Sequence, residues 1–328
     1  METKMVNTVT GAVSTADLGT TLMHEHIFFG QPGWEGDQSI APFDKKSIVN
    51  AGIETLNGLK DLGLNTYVDA TPNDGGRSPE IYREISENTG VNIICSTGYF
   101  NEENGMSFYW KFRSMLADVV AEMTELFVHE ITVGIRDTGI KAGVIKVASG
   151  KNHISDYEKM VFQAAARAQK ETGVPIITHT EEGTMGVEQA KFLIEAGAAP
   201  NQIQIGHMSD NVDINYQLDV IKQGAYVSWD RMGLQMLMGC PMDEVRYPVL
   251  LDLIKRGHGD QLMISHDFII SFAGRPLDIP EDFQSVIASW HPSNLFQTVI
   301  PNLKKHGVTD EQIDTIVRDN PRRIFEGS

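Results

Sequence analysis

Short apolar runs rich in β-branched residues alternate along this chain with longer stretches whose apolar positions recur every three to four residues. The runs at 21–26, 66–71, 91–99, 143–148, 174–180, 203–207, 225–229 and 262–267 read as strands. The stretches at 44–62, 80–87, 117–137, 155–172, 184–196, 213–223 and 243–256 read as amphipathic helices. Helical stretches open at cap-type residues such as Asp44 and Ser155, and several close just before a glycine, as at Gly90, Gly173 and Gly224. Strands separated by helices imply a parallel sheet, and eight of them is the number that closes a barrel. The rival, an open doubly wound sheet, ordinarily carries a Gly-rich phosphate turn after its first strand; here that strand ends in His24-Glu25-His26. No Pro/Gly/Ser-rich linker divides the chain. The expected fold is therefore α/β, a single (β/α)8 TIM-barrel domain over residues 1–328, although 328 residues would by length alone suggest about two domains.

Composition narrows the partners. Apolar residues make up 41% and charged residues 22%, as in ordinary globular chains. With 27 basic against 44 acidic residues, the net charge of −17 argues against nucleic acid and against an anionic membrane surface. Two cysteines, Cys95 and Cys240, make no disulfide framework; Cys95 reads as a buried strand residue and Cys240 as a loop residue open to solvent. Neither a signal peptide nor a membrane span is visible, so a cytoplasmic protein is expected.

Chemistry gathers at the strand ends, where barrels carry their active sites. Residues two apart on a strand share a face, so His24 and His26 turn inward together and Glu25 turns toward the helices. Lys146 interrupts an apolar run on the fourth strand, His179 ends the fifth, His207 the sixth and Asp267 the eighth. Alone, each has an ordinary reading: a hydrogen-bonded core histidine, a paired buried lysine, a helix cap. Together on one rim they suit borderline divalent cations such as Zn²⁺, Co²⁺, Mn²⁺ or Fe²⁺. A protonated lysine beside such ions would be repelled, and burial lowers its pKa. Carbamylation by CO₂ would turn it into a bridging anion; the spacing permits this without demonstrating it. His129, His153, His258 and His306 lack partner motifs, and alternation turns His266 away from Asp267.

The chain resembles the phosphotriesterase family of the amidohydrolase superfamily, and within it the phosphotriesterase-like lactonases. The motifs run from Leu18-Gly-Thr-Thr-Leu-Met-His-Glu-His26 through Thr97-Gly-Tyr99, Lys146, Thr178-His-Thr180, Ile205-Gly-His207 and Asp230-Arg-Met-Gly233 to Ile264-Ser-His-Asp267 and Asn320-Pro-Arg-Arg-Ile-Phe325. The resemblance implies two divalent metal ions, zinc being favoured. His24, His26 and Asp267 would hold the more buried ion and His179 and His207 the more exposed one, with carbamylated Lys146 and a hydroxide bridging both. It also implies a homodimer, a Tyr99 that points at the metal centre and an Arg231 that borders it. On their own, Tyr99 reads as core and Arg231 as half of a surface ion pair with Asp230.

The implied reaction is hydrolysis of a small-molecule lactone, N-acyl-homoserine or alkyl-substituted, as in quorum quenching, with side activity on phosphotriesters and aryl esters. Asp267 would accept the attacking water's proton. The long connection from Phe268 to about Trp290, and the Met- and Leu-rich loop after Arg231, offer apolar cover for an acyl tail, or equally pack on each other or on a partner subunit. The alternatives are a dedicated organophosphate triesterase or carboxylesterase, and a non-catalytic metal- or ligand-binding barrel.

Overall fold

A short antiparallel hairpin, β1 (Met5–Thr8) and β2 (Gly11–Ser14), opens the computed structural model, which describes residues 4–284 and 286–327. Eight parallel strands follow, each bonded to the next: β3 (Thr21–Phe29), β4 (Thr66–Asp69), β5 (Asn92–Gly98), β6 (Val144–Ser149), β7 (Ile176–Thr180), β8 (Ile203–Ile205), β9 (Tyr226–Trp229) and β10 (Leu262–Ile264). The sheet is a (β/α)8 barrel. It closes where the Asp267 amide donates to the His24 carbonyl at 3.1 Å and the His26 amide to the Phe268 carbonyl at 2.9 Å. A further strand, β11 (Ile269–Phe272), then runs parallel to β3. The last strand is thus broken at Asp267, whose φ of 52° is left-handed, and the long connection expected after it begins as strand.

Helices α1 (Lys45–Asp61), α2 (Pro79–Thr89), α3 (Ser107–Arg113), α4 (Val119–Thr132), α5 (Asp156–Thr172), α6 (Gly186–Glu195), α7 (Ile214–Ile221) and α8 (Asp243–Lys255) lie between the strands. Caps set their starts: Asp44 accepts from the Ser47 amide at 3.0 Å, and Ser155 forms a reciprocal capping box with Glu158. The hairpin and α3 carry too little periodic signal to be read from sequence. No helix among the described residues is long and apolar enough to cross a membrane.

Two apolar layers follow from strand alternation. Met23, Val68, Ile94, Val144, Ile177 and Met263 form one, joined by Val6, Ile324 and Phe325. Their sequence neighbours Leu22, Ile93, Cys95, Ile145 and Ile176 join the larger layer with helix residues such as Val161 and Phe162. Each such side chain contributes about 1.5–3 kcal/mol on full burial. A register shift between Leu22 and Glu25 opens β3 just where its two histidines begin.

Two glycines are dictated by close approach next to the site. A Cβ at Gly98 (φ 127°) would lie 1.9 Å from the Lys146 carbonyl oxygen, and one at Gly206 would lie 2.1 Å from that of Thr178. Cys240 is buried, against the exposed loop position expected, because its loop folds over the Asp210–Arg231 ion pair.

Candidate metal centre

The barrel's C-terminal rim brings His24, His26, Lys146, His179, His207 and Asp267 into one buried group. His24, His207 and Asp267 can each offer a ligand atom, all within 4.8 Å of one another. Two members are delivered by left-handed backbone, His207 at φ 58° and Asp267 at φ 52°. Such non-glycine conformations cost about 1–3 kcal/mol and persist where the surroundings hold them, typically at functional sites.

Each imidazole is held on one side by oxygen and turned inward on the other. Asp230 holds two: Oδ2 lies 3.0 Å from His24 Nδ1, and Oδ1 lies 2.9 Å from His207 Nδ1 while also accepting the His207 amide at 2.8 Å. Thr71 Oγ1 lies 2.7 Å from His26 Nδ1, and Glu181 Oε2 lies 3.0 Å from His179 Nε2. The protons belong on the nitrogens facing these oxygens, which leaves four lone pairs pointing into the centre. There they meet unsuitable neighbours. His207 Nε2 faces His179 Nδ1 at 2.8 Å, and His26 Nε2 faces Asp267 Oδ1 at 3.0 Å. Lone pairs aimed at one another need an electron-poor centre between them, so the donor set fits divalent cations.

The electrostatics agree. Burial, and then Lys146, pulls His24 down to about 4, and burial lowers His179 and lowers His207 strongly. All three are neutral near pH 7. Burial also brings Lys146 down to about 8, so a neutral amine is accessible; its Nζ lies 2.6 Å from His24 Nε2. Burial opposes ionisation of Asp267, but His207 and the Arg231 guanidinium, Nε at 2.9 Å from Oδ2, hold its carboxyl well below the ordinary range.

Arg231 is not a surface residue and does not pair with Asp230. It is 1% exposed and bridges Asp267 to Asp210, whose other oxygen binds Arg246. Tyr99 does not reach the centre: its ring packs against Trp110 and Phe127, 5.7 and 6.0 Å between centroids. Phe100 stands there instead, 4.8 Å from His179. The cause is alternation. Ile93 and Cys95 share the outer layer with Tyr99, Ile94 lies in the other, and Phe100 follows the parity of Ile94. Glu25 and His266 do face outward as a buried pair at 3.0 Å, which excludes His266 from the centre.

Above the centre lies a cavity of about 270 Å³. Phe29, Phe100, Leu234, Met238, Phe272 and Trp290 are among its walls, with His26, Lys146, His179, His207, Arg231 and Asp267 also lining it. Its walls are mostly apolar, and Gln31, Asn104 and Glu181 add polar groups to those of the rim residues.

A barrel that gathers neutral imidazoles, a lysine and an ionised carboxylate beneath an apolar cavity defines a metal-dependent hydrolase. The chain belongs to the Phosphotriesterase family, a family of binuclear metal enzymes, whose sequence model matches residues 4–325. It is 37% identical over 325 residues to a phosphotriesterase homology protein of Mycobacterium tuberculosis, covering 98% of this chain and 97% of the other. The organophosphorus hydrolase of Deinococcus radiodurans superposes with a TM-score of 0.97 at 45% identity, covering 99% and 98%. A variant of a Deinococcus radiodurans PTE-like lactonase superposes at 0.96 and 45%, covering 98% and 99%.

Several contributors escaped the sequence reading: Asp230, Thr71, Glu181 and Phe100. Asp230 was legible in principle, since it ends the seventh strand as His179 and His207 end theirs, but it was assigned to Arg231 as an ion-pair partner.

Proposed function

We propose that this chain, acting as one barrel domain, opens lactones at a centre of two divalent ions, zinc being favoured. In this reading His24, His26 and Asp267 would hold one ion and His179 and His207 the other, with Lys146, as its carbamate, completing the donor set. When bound, the ions supply acidified water and polarise the substrate carbonyl. Arg231 keeps Asp267 ionised, so that its carboxylate can take a proton from the attacking water. His24, His179 and His207, held by Asp230 and Glu181 and lowered by burial, stay neutral near pH 7. Phe29, Phe100, Leu234, Met238, Phe272 and Trp290 exclude bulk water and accept an alkyl or acyl tail. The observation that carries the reading is the convergence of inward-facing ring nitrogens of His24, His26, His179 and His207 with Lys146 and Asp267 in one buried group beneath a cavity with apolar walls. The likeness to a PTE-like lactonase favours a cyclic ester, and the likeness to an organophosphorus hydrolase makes weak triester cleavage the expected side reaction.

The deciding measurement compares kcat/KM for a series of alkyl-substituted and N-acyl-homoserine lactones with that for an aryl dialkyl phosphate, on metal-replete protein. Lactones are expected to be favoured by about a hundredfold, a difference of roughly 3 kcal/mol in transition-state stabilisation. Triester values above those of every lactone would instead make it a dedicated triesterase.

The same reading includes a homodimer. Phe108, Phe112, Met115 and Leu116 are all more than half exposed on or beside α3, an apolar face that a second copy would cover. Sedimentation at micromolar concentration should give twice the 36.3 kDa chain mass; the single chain mass would refute it.

A further inference from the structure

The segment that carries Phe100 and Asn104 into the cavity wall is held from two sides by carboxylates that take no part in the metal centre. Asp74 follows β4. Its Oδ1 accepts the Phe100 amide at 3.0 Å and its Oδ2 accepts the Met106 amide at 2.9 Å, so one side chain ties both ends of the 100–106 loop. Gly105 lies so close that a Cβ there would sit 2.5 Å from Oδ2. Glu158, in the first turn of α5, grips the middle of the loop. Its Oε1 accepts the amides of Glu102 at 3.1 Å and Gly150 at 3.0 Å, and its Oε2 accepts that of Ser155 at 2.7 Å. Inside the loop, Asn101 Oδ1 accepts the Asn104 amide at 2.8 Å.

Both carboxylates are buried, 6% and 1% exposed, and neither forms an ion pair among the described residues. Arg77, the cation nearest in sequence to Asp74, spends its guanidinium on Glu130 at 2.7 and 2.8 Å. Burying an unpaired carboxylate is costly, and five backbone N–H donors are what these two receive in return. A neutral amide could satisfy only part of that set, since its NH₂ would confront an N–H. The arrangement therefore secures one particular loop conformation more than it secures bulk stability.

We infer that Asp74 and Glu158 are positioning residues for substrate selection, clamping the 100–106 loop so that Phe100 and Asn104 form a fixed wall for the substituent on the substrate ring. This rests on the lactone reading for the identity of the substrate and not for the existence of the clamp. Asp74 is the stronger half, because both of its oxygens are committed to the loop; Glu158 commits one of its two.

The test uses the metal-loaded full chain and the variants Asp74→Asn and Glu158→Gln, each isosteric. Substrates are an unsubstituted five-membered lactone and the same ring carrying a long n-alkyl tail. Asp74→Asn should raise KM for the tailed lactone about 5- to 10-fold, the effect of one lost charge-assisted hydrogen bond, with kcat and the unsubstituted ring changed less than about twofold. Glu158→Gln should do the same more weakly. Amide exchange should quicken across 100–106 and nowhere else in Asp74→Asn. Equal losses on both substrates, or unchanged exchange in that loop, would overturn the clamp. Failure of the lactone reading is seen separately, as wild-type protein that prefers the aryl dialkyl phosphate. In that case the same comparison between small and bulky dialkyl groups, together with the exchange measurement, still decides the clamp.

Discussion

Replacing Lys146 by alanine is expected to remove most of the bound metal and to lower kcat/KM by at least about a thousandfold, the scale of several kcal/mol of metal-assisted catalysis. The lysine is 1% exposed, and its Nζ, 2.6 Å from His24 Nε2, can donate to the lone pair that faces inward once Asp230 has fixed that ring. Burial brings the amine down to about 8, where its neutral form can add CO₂. Alanine leaves a hole the size of the missing side chain beside ligands that remain in place. A small carboxylate such as propionate, added with metal, should therefore restore part of the activity. Elemental analysis and turnover on the same preparations check both halves. A variant that retains two ions per chain and full activity would remove the carbamate from the proposal.

Asp230→Asn should weaken metal binding by about ten- to a hundredfold per ligand oriented, and because Asp230 orients two, the upper end is expected. One carboxylate oxygen holds His24 Nδ1 and the other holds both Nδ1 and the backbone amide of His207. An amide keeps one acceptor and sets its NH₂ against the second ring proton. That histidine must then rotate or change tautomer, and its inward lone pair is lost. Titration with a competing chelator measures the loss directly, and activity should recover with excess metal. Unchanged affinity would mean that the imidazoles are oriented by packing alone.

Much of this was legible in the sequence because a barrel turns strand parity into position. The shared inward face of His24 and His26 could be counted from the alternation, Lys146, His179, His207 and Asp267 were legible from their places along or at the ends of strands, and the structure gathers all six at one rim. Parity also shows why Tyr99 was misplaced: applied to Ile93, Ile94 and Cys95, it sends Tyr99 outward and Phe100 inward, whereas the resemblance carried the tyrosine to the centre. The strand at Ile269–Phe272 was hidden because its residues are exposed or half-exposed and show no alternation. Arg231 and Cys240 looked like surface residues because their burial depends on Asp210, a partner more than twenty residues away from either. Long-range pairing of that kind leaves no local pattern to read.

The break at Asp267 has a bearing on how the protein is made. His26 lies on the first barrel strand and Asp267 at the end of the last, 241 residues apart in the chain. The same turn that sets the Asp267 carboxylate against His26 also sends its amide to the His24 carbonyl and launches β11 along β3. A nascent chain that has not yet released these residues has the histidines of β3 and no closing carboxylate. Under the proposed metal reading, capture of metal in the complete geometry would wait until the seam is sewn, so that an occupied centre would mark a finished barrel.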